Sequence, residues 1–423
     1  MRSQEFNAKN MNITKKTVTA GSGFLSGLEI TKPTFVVDEA ICRRNIARMA
    51  EKAHEAGLRF RPHFKTHQSA AIGAWFREEG VTAITVSSVS MARYFASAGW
   101  NDITVAFPVN LREIGEINKL ASEISINLLV ENEISMNFLV KNLAIPAGIY
   151  IEVDTGYHRT GVDALKTRII DQMMDVLRKN RNLVFKGFLS HSGQTYSARN
   201  VDDIHVRHAD VLLKTRSLKN HYGGEWPDLE ISLGDTPACA VCSDWDSVDE
   251  IRPGNFVFYD LMQLSLGVCR VEDIAVRVLC PVVSKQIMRN EVVVYGGAVH
   301  LSKELMIGAN GKKSFGAVCL PGGGSSAGIG GVGLAAGGVE VAGSSGSACI
   351  PGYRFSNAIS ADTWVAGLSQ EHGIIRGSFD EIRAMFPGDL LEIIPVHSCL
   401  AADLAGYYVT TDGSRIEKIR RLD

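Results

Sequence analysis

At 423 residues, the chain is longer than one ordinary core and fits a large domain with a smaller one. Hydrophobic residues make up 45% and charged residues 21%, which excludes a disordered chain. Lys and Arg total 44 against 46 Asp and Glu, so no bulk field draws nucleic acid or an anionic membrane. Small-molecule chemistry is the expectation.

The opening "MRSQEFNAKNMNITKKTVTAGSG" is polar and carries no apolar core of a secretory signal, and no apolar run is long enough to span a bilayer. The eight cysteines (42, 239, 242, 269, 280, 319, 349 and 399) are scattered, not arranged as a disulfide framework, so a reduced, cytoplasmic protein is expected. Cys239-x-x-Cys242 reads as two small core residues. "TFVVD" (34–38) leads into a helical pattern, and strand-like runs then recur at 58–62, 83–87, 102–107, 126–131, 148–154, 184–190, 229–234 and 251–258. Helical periodicity fills most of the intervals, as in "DALKTRIIDQMMDVLRKN" (163–180). Near-continuous apolar strands alternating with helices predict a parallel sheet closed into a (β/α)₈ TIM barrel. After residue 262 helical periodicity is scarce, and "AVRVLCPVVSKQ", "NEVVVYGGA" and "DLLEIIPVH" predict a β-rich domain. The expected division is an arm at 1–33 joining the β domain, a barrel at 34–262 and the β-rich domain at 263–423. The Gly/Ser/Ala-rich stretch 320–352 contains Gly328-x-Gly330-x-x-Gly333, but no strand leads into it and no amphipathic helix follows. It reads as a poorly packed loop and not as a dinucleotide site.

In a barrel of this kind, function sits at the carboxyl ends of the strands. "RPHFKTHQ" (61–68) places Lys65 just past the first strand. "DTGYHRTG" (154–161) follows the fifth, "SHSGQTY" (190–196) the sixth and "GDTP" (234–237) the seventh, while "RPGN" (252–255) falls in the eighth. Glycines and a threonine around strands seven and eight suit a phosphate, and a lone rim lysine opposite them suits pyridoxal phosphate. That cofactor needs an amine, a phosphate cradle and a partner for its ring nitrogen. Lys65 supplies the amine, Thr236 and Gly254 part of the cradle, and Arg159 the ring partner. His191 is a base, a cofactor contact or a hydrogen-bonded structural histidine. In "PVHSC" (395–399), His397 and Cys399 share one face of an extended strand, and imidazole with thiolate suits zinc. Two protein ligands leave positions open, as catalysis requires.

Taken in order, "RPHFKTH", "DTGYHRTGV", "GDTP", "RPGNFVFYD", "LSQEHG" and "PVHSCLAADL" resemble the D-threonine aldolase and D-serine dehydratase family of fold type III pyridoxal enzymes. The resemblance covers about residues 34 to 408, outside the glycine-rich stretch. It implies an alanine racemase-like barrel followed by a β domain, with Lys65 as the cofactor-bearing lysine and Tyr196 as a cofactor contact. It further implies phosphate contacts at Thr236, Gly254 and Asn255, and a metal pair at His397 and Cys399. The chain departs from the family's habits at Leu189, where members often carry tyrosine, in "YGGAVHLS" (295–302) and in "CLAADL" (399–404).

The resemblance implies a lyase acting on 3-hydroxy-D-amino acids. A cysteine as second metal ligand favours D-serine dehydratase-type elimination to a 2-oxo acid and ammonia. D-threonine aldolase-type cleavage to glycine and an aldehyde is the alternative; amino acid racemization and a non-catalytic pyridoxal-phosphate carrier stand further off. Zinc is the expected metal, with manganese as the second choice. A small-molecule D-amino acid substrate and a homodimer are the expected partners, with no nucleic acid and no membrane.

Overall fold

The computed structural model describes residues 24–25, 28–308, 311–320 and 353–419. The glycine-rich stretch 320–352, expected to be a loose loop, lies outside the described residues apart from Leu320.

Among the described residues, eight parallel strands form the predicted barrel: Arg59–Phe60, Ile84–Val86, Asp102–Pro108, Ser125–Val130, Ala147–Asp154, Leu183–Ser190, Glu230–Leu233 and Glu250–Ile251. Every strand-like run of the sequence overlaps one of them. The eighth pairs with the first through Glu250↔Arg59 and Ile251↔Phe60. The ring closes where the Phe64 N–H donates to Thr85 O (2.8 Å) and the Thr85 N–H to Pro62 O (2.9 Å).

The pleat sends alternate residues to opposite faces. Ile103, Ile126, Leu128, Ile149, Ile151, Phe188 and Ile231 are buried in the main hydrophobic core. Thr85, Thr104, Asn127, Glu152, Ser232 and Glu250 occupy the alternate positions and are buried too, so the barrel interior is largely polar. Leu129, Tyr150 and Leu189 form their own small apolar cluster on that side. At the sixth strand a register shift brings the backbones close, and a Cβ on Gly187 would lie 1.9 Å from Glu230 O. Gly187 also has φ +142°, so glycine is required there.

Short polar residues start the helices. Asp38, Ser88, Asn132, Asn200 and Asp235 each accept the amide three residues ahead with their side chains. This is the N-cap pattern that satisfies one of the orphan donors of a first turn.

The second sheet is mainly antiparallel. Strands Val276–Gln286, Glu291–Tyr295, His372–Arg376, Ile359–Leu368, Gly316–Cys319 and Leu390–Pro395 pair in a closed ring, because the first of these hydrogen-bonds both the second and the last. Thr34–Val37, read from sequence as the opening of the barrel region, pairs instead with Val276–Leu279 antiparallel and with Val409–Thr410 parallel. Thr34–Val37 thus belongs to the second sheet, and helix Glu39–Glu55 carries the chain on into the barrel. Ile30 of the arm packs on Val36, Leu279 and Val409.

Candidate active site

The turn after the first barrel strand explains the crowding in "RPHFKTHQ". His67 is structural: its ring packs 4.4 Å from that of Phe64 and 5.5 Å from that of Phe76, and burial lowers its pKa to about 3. Tyr408 of the second domain donates to His67 O (2.8 Å), and Gln68 Nε2 donates to Asp403 (2.9 Å), so the turn is clamped between the domains. Lys65 is left to face the rim. Burial lowers its pKa below the ordinary ammonium range, the Cys399 thiolate opposes that shift, and Arg159 and Arg252 reinforce it. His63 Nδ1 accepts from the Lys65 backbone N–H (3.4 Å).

The wall opposite is aromatic and neutral. His191 Nδ1–H donates to Gly234 O (2.6 Å), which leaves Nε2 as an acceptor. Burial first, then the Lys65 charge, pushes its pKa down to about 3. Its ring lies 5.6 Å from that of Tyr157 and 6.2 Å from that of Tyr196. Tyr196 Oη accepts from the Thr236 N–H (3.2 Å), and burial holds its phenol protonated. Leu189 packs inside the barrel with Tyr150.

Two features suit a phosphate. Thr236 Oγ1 is buried without a hydrogen-bond partner at the start of helix Thr236–Val241. Gly254 presses on the Lys65 turn: a Cβ there would lie 2.8 Å from His63 O and 3.1 Å from Thr66 Oγ1. Asn255 directs its side chain elsewhere, towards Cys399. Arg159 is exposed, stacks 5.3 Å above the Tyr157 ring and makes no ion pair among the described residues. With Glu152, Tyr157, Thr160 and His191 it lines a cleft of about 10 Å³, room for about one water.

The expected metal pair is adjacent, though not as alternate residues of a strand. The last strand of the ring ends at Pro395; His397 is the extended N-cap of helix Ser398–Leu404 and Cys399 lies in its first turn. The strand-to-helix junction, not the pleat, brings imidazole and thiol together. His397 holds the Cys399 thiol below its ordinary range against the effect of burial, and the thiolate and Asp260 raise His397 in return. Thr66 Oγ1 lies 3.3 Å and Asn255 Nδ2 3.5 Å from Cys399 Sγ. An imidazole and a thiolate form a donor set that zinc accepts. No third Cys, His, Asp or Glu joins them in a metal-holding group among the described residues.

All nine residues expected from sequence therefore gather at the barrel's carboxyl rim and the adjoining end of the second domain. Sequence reasoning missed two others. Arg252, in "RPGN", is fully buried, and donates through Nε to Ser232 Oγ (2.7 Å) and through Nη2 to Ser190 O (2.7 Å). Its charge acts on His63, Lys65 and His191. Asp260, at the end of "RPGNFVFYD", accepts from His397 Nδ1 (3.1 Å). An acidic residue just ahead of a helix was a readable cap signal, but its second partner 137 residues away was not.

The alanine racemase N-terminal domain model matches residues 37–261, and the putative serine dehydratase domain model matches 275–411. A D-serine dehydratase of Dictyostelium discoideum is 30% identical over 301 residues, covering 65% of this chain and 74% of that protein. A D-threo-3-hydroxyaspartate dehydratase of Delftia sp. (strain HT23) is 28% identical over 404 residues, covering 92% of this chain and 96% of that one. The solved structure of a cysteine-to-alanine mutant of a D-threo-3-hydroxyaspartate dehydratase, in its metal-free form, superposes with a TM-score of 0.79 at 24% identity over 92% of this chain and 98% of that chain.

Proposed function

This chain belongs to the fold type III pyridoxal-phosphate enzymes that join an alanine racemase N-terminal domain to a serine dehydratase domain, and from that premise we propose that it is a lyase eliminating water from 3-hydroxy-D-amino acids to give a 2-oxo acid and ammonia. One observation carries the reading. Thr66, the neighbour of Lys65, touches Cys399 at 3.3 Å, so the rim amine and the metal pair serve one pocket.

Pyridoxal phosphate, when bound, supplies a ring that accepts negative charge from the substrate α-carbon. Lys65 would anchor it, with Thr236, Gly254 and the backbone of Asn255 on the phosphate, since the Asn255 side chain is taken by Asp260, Ser398 and Cys399, and with Tyr196 and His191 against the ring. Of the two guanidiniums, Arg159 was expected at the ring nitrogen; Arg252 is the buried one, with Nη1 free of hydrogen bonds among the described residues, and is the better placed. Arg159, unpaired at the mouth, then suits the substrate carboxylate. A divalent metal held by His397 and Cys399, zinc before manganese, supplies Lewis-acid help at the β-hydroxyl. With the cofactor bound to substrate, Lys65 Nζ would take the α-proton, and a pKa that burial lowers below the ordinary ammonium range suits it to that task. The hydroxyl would leave as water with the proton taken from the α-carbon, and the released enamine, as its imine tautomer, would consume one water to give the 2-oxo acid and ammonia.

A second copy of the chain completes the proposal. Helices Ala298–Leu301 and Ser398–Leu404 leave Val299, Leu400 and Leu404 exposed beside the metal pair, a surface suited to a homodimer. The test is a panel of D- and L-3-hydroxy amino acids assayed separately for ammonia, glycine and aldehyde. Ammonia with 2-oxo acid from the D-substrates supports elimination; glycine with aldehyde moves the reading to the retro-aldol reaction.

A further inference from the structure

We propose that Asp260 is the positioning residue of the metal pair, taking the Nδ1–H of His397 so that Nε2 is the donor turned to the metal beside Cys399. The inference deepens the proposed function and rests on its metal reading.

Asp260 has two oxygens with different work. Oδ1 accepts from the Gln263 N–H (3.0 Å) and caps helix Leu261–Ser265, a task that serine, threonine or asparagine also performs. Oδ2 does something a cap does not need. It faces His397 Nδ1 (3.1 Å), the Ser398 N–H (2.9 Å), Ser398 Oγ (3.2 Å) and Asn255 Nδ2 (2.7 Å). The carboxylate is completely buried, and a buried charge of this kind persists only where donors converge on it.

The donors come from separate parts of the chain. Asn255 lies on the turn after the eighth barrel strand, and His397 and Ser398 lie at the strand-to-helix junction of the second domain. Asp260 therefore pins the metal-bearing helix to the barrel rim. A carboxylate on one ring nitrogen fixes the tautomer, sets the ring plane and raises the basicity of the other nitrogen. Asn255 adds to this arrangement: its Nδ2 also lies 2.9 Å from Ser398 Oγ and 3.5 Å from Cys399 Sγ, so one amide orients both sides of the pair.

The test is zinc affinity of the pyridoxal-phosphate-loaded enzyme, by competition with a chromogenic chelator, for wild type, Asp260→Asn and Asp260→Ser. Serine keeps the cap and loses the reach to His397, which separates positioning from helix capping. Zinc should bind about 10–100-fold more weakly to both variants, with the absorbance of the Lys65-bound cofactor unchanged. A folded variant that holds zinc as tightly as wild type overturns the inference alone; a wild-type enzyme that takes up no metal overturns the metal reading and this inference with it. Nitrogen NMR of the zinc-loaded wild type needs no variant. It should report His397 bound through Nε2 with Nδ1 protonated, and ligation through Nδ1 overturns the proposal.

Discussion

Replacing Glu250 by glutamine keeps the shape of a side chain buried in the barrel interior and removes its charge. Oε2 accepts from Arg59 Nε (2.6 Å) and Arg61 Nε (2.7 Å), and Oε1 accepts from Ser232 Oγ (2.6 Å), the same hydroxyl that receives Arg252 Nε. Breaking one partner out of a buried ion pair costs about 3–5 kcal/mol. Arg61 keeps Asp102 through two bonds of 2.6 and 3.0 Å, and Arg59 keeps Glu230, so the lower end, about 3 kcal/mol, is expected. At a urea slope of about 3 kcal/mol/M, that is a loss of about 1 M in the unfolding midpoint. The pH dependence follows from the sign of the shift. Burial alone would raise the Glu250 pKa, but Arg61 and Arg59 outweigh it and hold the carboxyl below its ordinary value of 4.5. A depressed carboxyl contributes stability that is fully present above the unfolded value and is lost as pH falls through the folded one. The gap between wild type and Glu250→Gln should thus be constant from pH 8 to about 5.5 and narrow below about 4.5. Urea melts followed by tryptophan fluorescence across that range measure it. A gap under about 1 kcal/mol at neutral pH, or one that persists unchanged in acid, refutes the reasoning.

Borohydride reduction of the cofactor-loaded enzyme, followed by peptide mapping, should leave the pyridoxyl group on Lys65; a label on another lysine removes the basis of the mechanism. Chelation, His397→Ala and Cys399→Ala should each lower turnover of 3-hydroxy-D-amino acids by about 100-fold or more while the cofactor absorbance and melting curve hold. Normal turnover by metal-free protein moves a racemase-like reading ahead.

The sequence by itself determined the eight barrel strands, the helices between them and the rim on which Lys65, Arg159, His191, Tyr196, Thr236 and Gly254 lie. These are local properties: caps such as Ser88 and Asp235 act within four residues, and a run such as "GIYIEVD" (148–154) declares its period without a partner. The buried Cys239 and Cys242, read as core residues, also needed no more than local composition. Tertiary structure alone decided what depends on a distant partner. "TFVVD" has a strand's composition wherever it lies, and only pairing with Val276–Leu279 and Val409–Thr410 assigns it to the second sheet. The polar barrel interior was equally hidden, because Arg61, Ser232 and Glu250 are favourable there only through bonds across strands far apart in sequence. His397 and Cys399 were legible as a pair, but an HxC spacing does not say whether a strand or a helix start presents them. Asp260 is the limiting case. One oxygen obeys a local rule within three residues, and the other acquires its role only when folding carries His397 to it, because a buried carboxylate takes its function from whichever donors the fold delivers.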